Sequence, residues 1–222
     1  MVTLRIALFA AASTVWLVAC EDPSKKQPTA AVGAAASAAG GPTAATTETL
    51  TFSDQNSKIG FVGSKVSGSH EGAFERFRGT IRLAGTKVEG SSVETEIDMD
   101  SLKVEPEKLL DHLKSPEFFD VARFPKATFK STEIKPGGAI GATHTITGNL
   151  NLHGKEKSIS FPATITVSDS EASTKAEFTI NRKDFDIVYP GMPNDLIRDG
   201  VVLKLDIHAP RNKVTPAKDN PH

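Results

Sequence analysis

Val93, Thr95, Ile97 and Met99 alternate with Glu94, Glu96, Asp98 and Asp100, giving one apolar and one acidic face. A period of two is the signature of a strand buried on one side, and here it recurs along the chain. Ile146, Gly148, Leu150 and Leu152 alternate with Thr145, Thr147, Asn149 and Asn151. Ile159, Phe161, Ala163, Ile165 and Val167 continue the pattern, then Ala176, Phe178 and Ile180, then Val201, Leu203, Leu205 and Ile207. Earlier runs from Ile59 to Val66, Phe77 to Leu83 and Ala127 to Ile134 bring the set to about eight strands. His153-Gly154 fits a tight hairpin with glycine at positive φ, and Pro136-Gly137-Gly138 fits a longer one, so the pairing reads as antiparallel. One helical insert interrupts the strands at about residues 106–120. Pro106 opens it, Leu109, Leu110 and Leu113 share a face, and a second turn starts at Ser115 with Phe118 and Phe119 turned inward. Such strands must stack as a sandwich or close into a barrel, and the pattern alone does not choose.

The strands occupy only part of the 222 residues. Residues 1–19 carry one cation and then an uncharged run from Ile6 to Val18, too short for a membrane span of roughly 20 residues, and so read as a signal peptide. Leu17-Val18-Ala19-Cys20 resembles the bacterial lipobox, which makes the single cysteine, Cys20, the expected lipidation site and membrane anchor. Residues 20–47 then form an Ala-, Thr-, Gly- and Pro-rich stretch with too little apolar surface to offset its ordering entropy, a flexible linker by composition. The domain spans 48–209, and the proline-rich residues 210–222 read as a disordered tail. The expectation from this organisation is an exported, lipid-anchored protein of the cell envelope, facing the periplasm at the outer membrane, with the sequence itself leaving inner and outer membrane open.

Net charge is −1 at pH 7, which gives no electrostatic footprint for nucleic acid. One cysteine excludes an intrachain disulfide and a multi-cysteine metal site. No Gly-x-Ser-x-Gly or His-Glu-x-x-His motif occurs, so neither an activated nucleophile nor a metal is expected, and the catalytic and cofactor sets are empty. His144 is in phase with Ile146 and Leu150 and is a candidate polar contact, weighed against a rim residue. His112, opposite the leucine stripe, reads as solvated. The alternating acids on 94–100 lie about 7 Å apart on one face, too far to converge on one ion, and read as a solvated outer face. Arg182 and Asp184 read first as a structural pair closing a barrel end and second, through Arg182, as a contact for an anionic headgroup. The segment Tyr189 to Asp199 reads as a rim or lid.

Four stretches carry a resemblance: Gly72 to Ile81 (GAFERFRGTI), His112 to Thr132 (HLKSPEFFDVARFPKATFKST), Thr147 to Pro162 (TGNLNLHGKEKSISFP) and Phe178 to Val202 (FTINRKDFDIVYPGMPNDLIRDGVV). In this order they are similar to the YceI-like family of bacterial polyisoprenoid-binding proteins. The resemblance implies an all-β fold, an eight-stranded antiparallel lipocalin-like β-barrel with an elongated tunnel for an isoprenoid or other long-chain lipid and no catalytic centre. One departure is Asp186, where the family usually has glycine, so the local backbone is expected to differ there. On this reading the tunnel wall comprises Phe77, Ile97, Phe129, Leu150, Phe161, Phe178 and Leu203, with Leu110, Phe118 and Phe119 from the insert. Small residues such as Gly79 and Gly148 leave room beside the rings. The expected partners are the long-chain lipid and the membrane through acylated Cys20, while a homodimer stays open. The rival readings are a packed barrel acting as an envelope stress or protein-interaction lipoprotein, and an enzyme acting on a lipid held in the tunnel.

Overall fold

The computed structural model describes residues 21–37, 47–85 and 87–211. The leader, Cys20 and most of the C-terminal tail lie outside them. In chain order the strands are β1 (Ala31–Ala34), β2 (Thr47–Ser53), β3 (Lys58–Lys65), β4 (Gly68–Phe74), β5 (Phe77–Ala84), β6 (Lys87–Asp98) and β7 (Leu102–Val104). After helix α1 (Glu107–Lys114) come β8 (Lys126–Pro136), β9 (His144–Leu152), β10 (Lys155–Val167), β11 (Glu171–Asn181), β12 (Gly191–Met192), β13 (Asp195–Leu196) and β14 (Gly200–Pro210). Twelve of these strands form one antiparallel sheet in the order β2-β5-β6-β8-β9-β10-β11-β14-β3-β4-β7, with β1 attached to β10, and β12–β13 is a separate hairpin.

The sheet curls until its β2 edge meets β14. β2 packs against β14, and Leu50, Phe52, Ile207 and Ala209 share one core there. The described residues show no ladder between these two strands. Instead the chain turns the corner from β2 to β3, where the buried Ser57 hydroxyl accepts from the His208 amide at 2.9 Å, and Arg211 grips both carboxylate oxygens of Glu48. Pro210 and Arg211 therefore belong to the fold rather than to a frayed tail.

Each of the eight expected runs meets a strand, although Val66 falls in the turn after β3 and Met99 in a 3-10 turn after β6, and β1, β2, β4, β7, β12 and β13 add to them. The insert is shorter than expected. α1 ends at Lys114, and Ser115 to Phe124 form successive turns in which Ser115 O accepts from the amides of Phe118 and Asp120. His153 and Gly154 both take positive φ, 52° and 70°, as a two-residue turn matched to strand twist requires. Asp186 also sits at positive φ, 57°, closing the short 3-10 turn Arg182–Phe185. Asp tolerates this region better than most residues, so it adopts a left-handed conformation that favours glycine.

The acidic face of β6 is covered by cations from both neighbours. Glu94 is paired with Arg82 on β5 and Lys130 on β8, and Glu96 with Arg78 and Lys126. Hydrogen bonds from Lys130 and Lys126 hold these two carboxyls below their usual range.

The linker reading fails for the first described segment. β10 pairs with β11 only over Thr164–Val167, and beyond that the two strands separate. β1 enters the gap, with Ala31 opposite Ser160 and Ala34 opposite Lys157. The Ala30 amide donates to Thr179 O at 2.8 Å, and the Thr179 amide donates to Pro28 O at 2.9 Å. Upstream, the 3-10 turn Pro23–Lys26 lies against β11 and β14, where the cross-strand partners Thr179 and Val202 are buried. The segment docks because it satisfies strand-edge amides and carbonyls that would otherwise lack partners, a contribution invisible to composition.

Candidate ligand cavity

The inward faces of the strands do not meet across the barrel. They enclose a cavity of about 730 Å3, within the size range of small-molecule sites. Its walls run from Leu109, Leu113 and Phe118 at the helix end to Ile134, Ile165 and Val167 at the other. Phe129, Phe161 and Phe178, on β8, β10 and β11, form a band of rings across the middle. Phe161 and Phe178 stack at 4.1 Å and 9°, and Phe129 tilts against Phe161 at 5.8 Å. Val93, Ile97, Phe129, Leu152, Leu203 and Leu205 also line the cavity but are only partly buried, which locates the open part of the lumen along β6, β8, β9 and β14.

Eight of the ten expected wall residues line this space: Ile97, Phe118, Phe119, Phe129, Leu150, Phe161, Phe178 and Leu203. Two do not. Phe77 is buried among Leu50, Phe52 and Ile81, and it is Phe52, from a strand absent from the expected set, that reaches the cavity. Leu110 packs in the core under the insert, while Leu109 and Leu113 face the lumen. The small inner-face residues behave differently from expectation as well. A Cβ on Gly79 would lie 2.0 Å from the Phe52 ring, and one on Gly148 would lie 2.5 Å from that of Phe129. These glycines seat a neighbouring ring instead of widening the tunnel.

The charged and histidine side chains of the lining gather at the helix end. Lys65, His70, Lys108, His112, Tyr189 and Asp195 border the mouth. Asp195 bonds Lys65 at 2.5 Å and takes the Ser67 amide and hydroxyl, so it clamps the β12–β13 hairpin to the β3–β4 turn. The Lys65 ammonium holds its carboxyl below the usual range. His112 does not point to open solvent as expected. Its ring meets Phe118 and Tyr189 edge-on at 4.9 and 4.8 Å, and Nε2 lies 2.7 Å from Glu117. His144 does not line the cavity. It sits at the opposite end of the barrel, where Nδ1 lies 2.8 Å from the Thr143 hydroxyl.

Arg182 lines the cavity, yet nearly every donor it has is engaged. Nε bonds Arg198 O, Nη1 bonds Ile187 O, and Nη2 reaches Ile197 O and Asp199 Oδ1 at 3.2 Å. Its carboxylate partner is therefore Asp199 and not Asp184, and its work is to fold the segment 187–199 over the barrel end. Burial lowers the guanidinium pKa and Asp199 opposes that shift. Ser64 shares the outward phase of β3 with Val62; it is buried, and among the described residues its hydroxyl has no hydrogen-bond partner. Among the described residues no cluster of three or more His, Cys, Asp or Glu is placed to hold a metal.

Sequence reasoning missed Phe52, Phe61 and Tyr189 on the wall. Leu50 and Phe52 at a spacing of two were a usable signal for β2.

A curled antiparallel sheet around an enclosed apolar cavity, with one short helix at its end, places the molecule in the lipocalin-like class of β-barrels. The chain belongs to the YceI-like family, whose domain matches residues 50–209. A UPF0312 protein of Pseudomonas savastanoi pv. phaseolicola is 32% identical over 148 residues, 62% of this chain and 76% of that protein. A UPF0312 protein of Pectobacterium atrosepticum is 34% identical over 122 residues, 52% of this chain and 62% of that one. Burkholderia cenocepacia BcnA shares the fold at TM-score 0.58 and 24% identity, over 69% of this chain and 96% of its own. A polyisoprenoid binding domain from Saccharophagus degradans shares it at TM-score 0.56 and 13% identity, over 74% and 100%.

Proposed function

We propose that this protein binds a long-chain isoprenoid or similar amphiphilic lipid in the barrel cavity, without catalysis, at the bacterial cell envelope, where acylated Cys20 anchors it. The observation that carries the reading is the cavity itself: about 730 Å3 of predominantly apolar space with its charged and histidine side chains at one end. Burial of hydrocarbon there is favourable by roughly 25 cal/mol per Å2, offset by the ordering of a flexible chain. The polyisoprenoid binding of the Saccharophagus degradans domain points to the same ligand class.

One observation favours the packed-scaffold rival. The Phe161–Phe178 stack is almost fully buried and fills part of the lumen. Leu203→Trp separates the two readings, since Leu203 borders the open part. Under the binding reading the indole fills free space, so the variant loses lipid that co-purifies with the mature chain, seen by native mass spectrometry and solvent extraction, and keeps its Tm. A packed core would instead lose about 1–3 kcal/mol to overpacking, with no lipid present in either protein. That result would overturn the proposal.

A further inference from the structure

Five large apolar side chains stand exposed among the described residues, and four of them lie at the helix end of the barrel. Val66, Met192 and Leu196 are 55, 62 and 49% exposed, and Val188, in the same segment, 60%. Val66 and Leu196 are joined by a backbone hydrogen bond of 3.0 Å, and Met192 pairs with Asp195 in the β12–β13 hairpin. Met192 also borders the cavity, so the apolar rim is continuous with the mouth. The fifth residue, Ile140, is in the β8–β9 loop at the opposite end.

The N-terminal segment reaches the same rim. Asp22 pairs with Arg198, two residues past Leu196 and itself on the cavity wall, and the 3-10 turn that follows packs on the start of β14. A residue two positions upstream of Asp22 can lie no more than about 7 Å from it along the chain. Whatever is attached at Cys20 therefore leaves the fold beside the mouth and not at the Ile140 end.

From these two placements we infer that the Val66, Val188, Met192 and Leu196 rim docks on a phospholipid surface, so that the protein rests mouth-down on the bilayer. The anchor supplies the attachment and the rim fixes its orientation. A clustered apolar patch of this kind gains from burial at the headgroup boundary, and acyl chains already inserted nearby hold it there. A lipid could then pass between bilayer and cavity without its chain crossing water. The inference rests on the anchored-carrier reading only for the anchor; the rim itself is independent of what the cavity holds.

The mature chain beginning at Cys20 contains no tryptophan, because the only one is Trp16. Met192→Trp and Ile140→Trp, both at exposed positions, give single reporters at the two ends. Each mature variant is mixed with phosphatidylcholine vesicles carrying brominated acyl chains, and the mass of its N-terminal peptide shows separately whether Cys20 is acylated. The expected result is a blue shift and loss of emission for residue 192 and no change for residue 140. Equal quenching at both ends, or none at residue 192, overturns the inference whether or not Cys20 is acylated. Self-association without vesicles that Met192→Asp abolishes would overturn it too, by assigning the rim to a second copy of the chain. Uptake of a polyprenol measured in detergent tests the cavity alone, so failure of ligand binding is distinguishable from failure of docking.

Discussion

The barrel wall has two seams, and they are closed by different means. Where β2 meets β14, side chains close it: Leu50, Phe52, Ile207 and Ala209 pack across, and Arg211 grips Glu48. Where β10 parts from β11, backbone closes it: the N-terminal segment contributes β1, paired to β10, and backbone hydrogen bonds to Thr179. The first seam depends on shape and is intolerant of added volume. The second depends on hydrogen bonds to a segment that could leave and return, so the two should fail in different ways.

The sharpest test uses a glycine from each seam. Gly79 supports the Phe52 ring, and a methyl group there would lie 2.0 Å from it, so Gly79→Ala must expel the ring from its seat. A cost of about 3 kcal/mol is expected, at the upper end for overpacking, and should appear as a lower Tm. Gly33 in β1 has nothing within 4 Å of the same added atom. Gly33→Ala should therefore change stability by less than about 0.5 kcal/mol. Equal effects would mean that the two seams are not distinct.

Ala30→Pro addresses the backbone seam directly. Ala30 donates its amide to Thr179 O, and proline has no donor to give. Leaving that carbonyl unpaired should cost about 1–2 kcal/mol. The diagnostic readout is local: amide exchange should accelerate across Lys157 to Ser160, which face β1, while Leu50 and Phe52 stay protected. Uniform acceleration would place the segment in the global folding unit instead.

The seams also differ in how far they could be read from the sequence. Strands facing the lumen announced themselves through strict alternation, as in Val201, Leu203, Leu205 and Ile207, because one side is apolar and the other wet. Six wall residues, Ile97, Phe129, Leu150, Phe161, Phe178 and Leu203, lie on that phase, whereas Phe118 and Phe119 come from the insert. Phe77 and Leu110 were misplaced because a period fixes the face of an element but not which neighbour reaches furthest into the lumen. The β10–β11 seam was illegible by the same logic, since Ala31 to Ala34 carries no amphipathic pattern and holds on by its backbone. A trace of it was present in Val62 and Val202, apolar residues on the outward phase of β3 and β14, only 5 and 1% exposed. The Arg182 cage left no trace, because it depends on which groups the fold brings within hydrogen-bond reach.

The smallest expected effect is on pH, and it belongs to the strapped seam alone. The Asp22 carboxyl is raised by burial, but the Ser24 hydroxyl and amide, Arg198 and Lys25 outweigh that and leave it below its usual value of 3.8. A carboxyl with a lowered folded-state pKa stabilises at pH values above its unfolded pKa, and that contribution disappears as pH falls from 3.8 through the lowered folded value. Acid should therefore loosen residues 22–30 before the barrel opens, read as faster exchange of the Ala30 and Thr179 amides while the Phe161–Phe178 core stays protected. Asp22→Asn should show the loosened state already at neutral pH and flatten the acid response of those two amides. If exchange at Ala30 follows the same pH course in the variant as in the parent chain, Asp22 does not hold the segment, and the closure of this seam rests on the β1 ladder alone.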